Sequence, residues 1–215
     1  MLDLLTPVAM TYPSEMGIQS VSQSLQCFGG YGYCEDYPVE QHFRDMRIHP
    51  IHEGTTGIQA MDLLGRKVMM ENGRAMTLLK SEIEATLQRA RAIKALAGYA
   101  DELEKAVARL EKTTLRLVGI AMDEGAEAFL ADAALYLEVF GHIVIGWQWL
   151  AMAAAASEQL AQGDVSKQQT LFYQGKQHTA AFYFSHELPK THGLFETLSS
   201  GQKTVITVSQ ACFTS

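Results

Sequence analysis

The sequence predicts an all-α chain whose second part is an up-down four-helix bundle, and three observations carry that expectation. Tyr99, Leu103, Ala106, Leu110, Thr113, Leu117 and Ile120 step alternately by four and three residues, the spacing of a helix packed antiparallel in a bundle. No proline occurs from Ala126 to Gln162, so one helix of about 55 Å is possible there at 1.5 Å per residue. No strand-rich segment is visible before residue 199.

Taken in order, Leu2 to Met10 is apolar and gives out near Tyr12-Pro13, like the tail of a helix. Ser14 suits the N-cap of a second helix with Met16, Val21, Leu25 and Phe28 on its apolar face. Gly29-Gly30 suits its stop. A short helix is expected from about Pro38 to Met46, since proline fits a first turn. Pro50 favours an extended approach to Glu53. Ile58, Met61, Leu64, Val68 and Met69 mark the stripe of a helix ending near Asn72-Gly73. The polar, glycine-containing break at Glu71 to Ala75 separates residues 1–73 from a bundle of residues 76–198. In that bundle Leu79, Ile83, Leu87 and Ala90 mark one stripe, and Gly141 and Gly146 mark a kink or a close approach. After Gly163-Asp164 a last helix is expected from about Lys167 to Leu188, stopping before Pro189. Thr204 to Val208 alternates weakly, like a strand without a partner, and residues 199–215 read as a loose tail.

The composition bounds the function. The 215 residues permit one large or two modest domains, and 47% hydrophobic content suffices for a packed core. A net charge of −7 and a pI near 5.5 argue against a nucleic-acid surface. Cys27, Cys34 and Cys212 are odd in number and lack zinc-ligand spacing, which implies a reducing compartment, the cytoplasm. No charged-then-apolar signal opens the chain. Val139 to Ala156 has about the minimal length of a membrane span. His142, Gln148 and two tryptophans interrupt it, so a helix buried in a bundle is expected instead.

The stretch that draws chemical attention is Gly29 to Gln59. Gly29, Gly30 and Gly32 interleave with Tyr31 and Tyr33, a loop whose backbone can approach a flat ligand. Further on, Glu53 precedes Gly54, Thr55, Thr56 and Gly57 at the start of an apolar periodic run. A carboxylate at such a helix entrance can be held by packing while facing a cavity, where a general base is wanted. On spacing alone, the favoured readings are a helix C-cap with a turn for the glycines and an N-terminal capping acid for Glu53.

The order Gln26, Gly29, Gly30, Gly32, Tyr37, Pro38, Val39, Glu40, Arg44, Asp45, Glu53, Gly54, Thr55, Ile58, Gln59 resembles the C-terminal signature of the acyl-CoA dehydrogenases. These flavoenzymes introduce a double bond between the α and β carbons of an acyl-CoA thioester. Gly57 to Lys67 is similar to the helix of a subgroup with an extra C-terminal helical domain, the 3-methylmercaptopropionyl-CoA dehydrogenase-like one. The resemblance covers roughly residues 1 to 195. It implies the C-terminal helical part of that fold, with the bundle appended. It also implies that this chain is the C-terminal portion of a longer enzyme and inactive by itself.

The resemblance assigns roles residue by residue. Glu53 matches the base that removes the α proton, and Gly54 the substrate contact. A glutamate suits that task because burial beside an apolar acyl chain raises a carboxyl's pKa toward working pH. Thr55, Thr56 and Gly57 fall where the family touches FAD, although Thr56 and Gly57 differ from the usual residue types. Gln26, Cys27, Phe28, Gly29 and Gly30 match the loop that reaches the FAD of a neighbouring subunit, which implies a dimer or tetramer. Electron-transfer flavoprotein is the implied electron acceptor. His52 stands where the family has tyrosine; it either tunes Glu53 or fills the ring-shaped space. His49, His52 and Glu53 lack the order and helix of a metalloprotease site, so no metal is expected. Arg44-Asp45 reads as a structural ion pair and Cys34 as packing. A second class of function is a non-catalytic helical assembly or binding module, similar to the alkylation-response flavoproteins. Its DNA-binding form needs a basic face, which the acidic second half lacks.

Overall fold

The computed structural model describes residues 1–52, 54–202 and 204–213, and all its regular elements are helical. Helix α1 runs unbroken from Leu2–Cys27 through Pro7 and Pro13, where the sequence suggested two helices. Pro13 leaves the Ala9 carbonyl without its helical donor, but Ala9 is exposed and water can replace it. Ser14 does not cap: it is buried mid-helix, with its hydroxyl donating to the Met10 and Thr11 carbonyls. Leu4, Val8, Thr11 and Ser14 form one buried face, and that burial outweighs the local stop signals.

Beyond α1, Gly29 adopts φ +60° and starts a 3₁₀ turn over Gly29–Tyr33. Helix α2, Val39–Ile48, packs back on α1. The approach to residue 53 is a tight turn, not the expected extended run. His49 is helical despite Pro50, and the Ile51 and His52 N–H groups both bond the Ile48 carbonyl.

Helix α3, Thr56–Gly65, is shorter than its apolar stripe suggested. Irregular 3₁₀ winding follows over Lys67–Gly73, and Glu71, Asn72 and Gly73 all have positive φ. Left-handed backbone at a non-glycine residue costs about 1–2 kcal/mol. In return the chain reverses so that Val68 before the turn and Ala75 and Leu79 after it all reach the core. The buried face of α3 is Ala60, Leu63 and Leu64. Ile58, Met61 and Met69, expected in the stripe, are 54%, 43% and 49% exposed.

Helices α4 (Arg74–Arg91) and α5 (Ala97–Glu124) follow the sequence closely. Leu79, Ile83, Leu87 and Ala90 are buried, as are Leu103, Leu110, Thr113 and Leu117. The long proline-free stretch is divided by a turn at Asp132 into α6, Ala126–Leu130, and α7, Ala133–Gln162. The turn lets Phe129 and Ala133 both face inward. Helix α8, Lys167–Phe182, opens with a capping box between Ser166 and Gln169. It passes into a π-helical turn, Tyr183–Glu187, before Pro189. Proline removes a donor and crowds the preceding turn, and the wider winding makes room. Two elements were not expected: α9, Thr191–Ser200, which takes in the first residues of the supposed tail, and α10, a helical turn at Thr204–Thr207 in place of the weak strand.

Helices α4, α5, α7 and α8 form the bundle, and α7 is its spine, touching α1, α3, α4, α5, α8 and α9. Tyr136, Phe140, Ile143 and Leu150 on α7 are fully buried. By length and composition α7 could cross a membrane, but most of its apolar stretch is packed inside this fold. Gly141 and Gly146 serve close approach. A Cβ on Gly141 would lie 3.3 Å from the Tyr12 ring of α1, and one on Gly146 3.3 Å from the Tyr183 ring.

Candidate active site

Two segments carry the expected site residues. In the first, Gln26 and Cys27 occupy the last turn of α1 and are exposed. Phe28 is half exposed, its ring 5.7 Å from that of Tyr37, which also neighbours Tyr31 at 5.8 Å. A Cβ on Gly29 or Gly30 would meet nothing within 4 Å. The loop therefore presents bare backbone beside an aromatic cluster, a surface suited to a flat ring system.

The second segment is the entrance of α3. Glu53, the expected base, lies outside the described residues. Gly54 has φ +92°, a backbone conformation that favours glycine, and a Cβ there would sit 2.8 Å from Gln59 Nε2, the end of a flexible side chain. Thr55 is the N-cap, its hydroxyl accepting from the Ile58 N–H at 3.5 Å. The Thr56 hydroxyl donates to Glu15 Oε1 of α1, and Gln59 Nε2 donates to Met10 Sδ at 3.4 Å. Helix geometry leaves the Thr56 and Gly57 N–H groups without an intrahelical acceptor, and Gly57 faces open space. These donors at a helix N-terminus fit the polar edge of a flavin. They fit through backbone, because the Thr56 hydroxyl is already engaged. Glu15 and Gln26 are eleven residues apart on α1, about 16 Å at 1.5 Å per residue, so the two segments do not converge on one spot within the chain.

Of the remaining candidates, Arg44 and Cys34 sort differently from their sequence reading. His49 Nδ1 and His52 Nε2 approach at 3.3 Å on the surface, and no third ligand joins them among the described residues. Arg44 reaches Glu40 at 3.9 Å, not Asp45, because adjacent residues diverge on a helix whereas residues four apart align. Cys34 is exposed rather than packed, and all three cysteines are free.

Behind Thr56, α1 and α7 enclose a cavity of about 230 Å³ lined by Tyr12, Glu15, Glu138 and His142, among others. His142 is buried, with Nδ1 3.3 Å from the Tyr183 hydroxyl, which itself donates to the His142 carbonyl at 2.9 Å. Burial holds its imidazole below the usual histidine range. The Glu187 charge opposes that shift and the Lys190 charge adds to it. Partial burial pushes the Glu138 carboxyl up, and the Glu15 charge adds to it. Glu15 was not singled out by the sequence. It follows Ser14 in what reads as a first helical turn, where an acid is ordinary, and no local signal joins it to Thr56.

Comparison with known proteins places the chain. A family model described as "Acyl-CoA dehydrogenase, C-terminal domain" matches residues 4–69. One described as "Acetyl-CoA dehydrogenase C-terminal like" matches residues 79–209. The chain is 34% identical over 184 residues to 3-methylmercaptopropionyl-CoA dehydrogenase of Ruegeria pomeroyi, covering 85% of this chain and 30% of that protein. It is 28% identical over 216 residues to a broad-specificity linear acyl-CoA dehydrogenase of Mycobacterium tuberculosis, covering 98% and 35%. The chain thus spans about a third of the length of these relatives. Its fold resembles that of Caenorhabditis elegans ACDH-11, solved in complex with C11-CoA, with a TM-score of 0.71 at 22% identity, over 92% of this chain and 33% of that one. The chain belongs to the acyl-CoA dehydrogenase family, as a C-terminal helical portion of it.

Proposed function

We propose that the protein to which this chain belongs is a FAD-dependent acyl-CoA dehydrogenase in which Glu53 removes the α proton of an acyl-CoA thioester. The observation that carries this reading is the family-model match over residues 4–69, which contains Glu53, Gly54 and Thr55 in the family's order. The cofactor supplies an acceptor for the β hydrogen, which leaves as hydride. The chain supplies aim. Gly54 leaves room beside the thioester, Thr55 caps the helix behind it, and the open N–H groups of Thr56 and Gly57 hold the cofactor's edge. Gln26, Cys27, Phe28, Gly29 and Gly30 serve the FAD of a neighbouring subunit, so the working form is a homo-oligomer, and electron-transfer flavoprotein takes the electrons. Residues 1–73 and 76–198 form two units of that protein, a division supported by the two family-model matches, which end at 69 and begin at 79 on either side of the left-handed turn. The protein works in the cytoplasm, in keeping with three free cysteines.

The test is Glu53→Gln in the full-length protein. Turnover, followed as bleaching of the flavin by an acyl-CoA, should fall about 10²–10⁴-fold, as for loss of a positioned base. FAD content and thioester binding should change little, because the amide fills the same space. Turnover within a few-fold of the parent would remove Glu53 from the chemistry.

A further inference from the structure

The backbone just after residue 53 is fixed at successive points. Gly54 is closed over by Gln59, Thr55 caps Ile58, Thr56 bonds Glu15, and Gln59 bonds Met10. The first two are internal to the turn and would keep its shape wherever it lay. Among the described residues, the last two are side-chain bonds that tie it to another element, α1, beside the packing of α3 on α7. A thioether is a weak acceptor, whereas a hydroxyl-to-carboxylate bond is charge-assisted and about twice as strong as a neutral one. Among the described residues Glu15 has no ion-pair partner, so Thr56 is the group its carboxylate serves. Helix α1 is itself seated on the spine: Tyr12, three residues from Glu15, packs on Gly141, and its ring meets that of His142 at 87° with the centroids 5.6 Å apart.

We propose that Glu15 is a positioning residue: through Thr56 it sets where the Gly54–Gln59 turn stands relative to α1 and α7, and so acts on the step assigned to Glu53, the residue that precedes this turn in the sequence. The proposal rests on Glu53 acting as the base. A linkage that merely stabilised the fold would cost melting temperature and leave the chemistry alone. A positioning linkage acts on the chemical step, where a displacement near 1 Å can cost about 100-fold.

The experiment uses the full-length holoenzyme carrying Glu15→Ala, Glu15→Gln, Thr56→Val, and the Glu15→Ala/Thr56→Val pair. Glu15→Ala and Thr56→Val should each lower kcat about 10- to 100-fold with KM for the acyl-CoA changed about twofold or less. Glu15→Gln keeps an acceptor oxygen and should recover most of the loss. The pair should be no worse than the more damaging single change, since both break one link. Amide exchange across residues 54–59, read without substrate, should quicken in the Ala and Val variants and not in Gln. That readout separates the two readings: if Glu53→Gln retains turnover the base assignment fails, whereas the exchange data still report the tether. Parental exchange in Glu15→Ala, parental kcat in that variant despite a lower Tm, or losses that multiply in the pair would each overturn the proposal.

Discussion

The pair Thr114–Tyr136 joins α5 to α7 in the dry centre of the bundle, and its removal has a calculable cost. Tyr136 is 0% exposed, and its hydroxyl lies 2.7 Å from Thr114 Oγ1. The threonine's single hydroxyl proton goes to the Leu110 carbonyl at 2.8 Å, so Tyr136 is the donor between the two. Burial pushes the Tyr136 phenol upward, so it stays a protonated donor. Thr114→Val keeps the shape and strands the phenolic O–H, at about 1–3 kcal/mol for an unsatisfied buried donor. Tyr136→Phe leaves Thr114 bonded to Leu110 and should cost only about 0.5–1.5 kcal/mol. The double variant has no stranded group, so it should sit near Tyr136→Phe alone, well short of the sum. Thermal unfolding followed by circular dichroism resolves this, at about 2–4 °C per kcal/mol for a chain of this size. Costs that add within about 0.5 kcal/mol would falsify the assignment of Tyr136 as a donor dependent on Thr114.

Two further outcomes are expected. Because His142 is held below the ordinary histidine pKa of about 6.5, the unfolded chain binds the extra proton first. Its contribution is whole above about pH 6.5 and is lost as pH falls, at up to about 1.4 kcal/mol per unit. Urea midpoints between pH 7.5 and 5.5 (conditions chosen to be about one unit either side of that value) should fall less in His142→Gln than in the parent; equal falls would point to another group. Ile58, Met61 and Met69 form an exposed apolar set on and just after α3, so the chain should self-associate at high concentration, and Ile58→Lys with Met61→Glu should reverse this. Light scattering from a clean monomer of the unmodified chain would count against it.

The bundle could be read from the sequence because its burial follows the helical period. The α4 stripe and the α5 positions needed only spacing. Where local chemistry and burial pulled apart, burial won: Pro13 and Ser14 carry the signs of a helix boundary, yet both lie inside α1. The α3 stripe misled for a related reason, since period shows that a face is apolar and not what covers it. The break at Asp132 answers to packing across the fold and left no local signal, whereas Pro189 marked where the helix must stop without showing that its last turn widens. In the site, the order of residues from Gln26 to Gln59 named the family, while the cap at Thr55 emerged only with the structure. The partner of Thr56 stayed hidden because Glu15 is 41 residues away and meets it only once α1 and α3 are docked.

The placement of the spine late in the chain bears on biosynthesis. Leu63 and Leu64 of α3, and Val8 of α1, find cover on a helix whose last residue is 162. At about 5–20 residues per second, α3 emerges from the ribosome roughly 5–20 s before α7 is complete. During that wait α4 and α5 can pair through neighbouring turns and α1 can pack on α2, but the faces of α1 and α3 that α7 covers lack that cover. They are the surfaces a chaperone would hold. Substitutions in α7 that slow its docking should therefore surface first as a poor yield of protein, with the molecules that do mature behaving much like the parent.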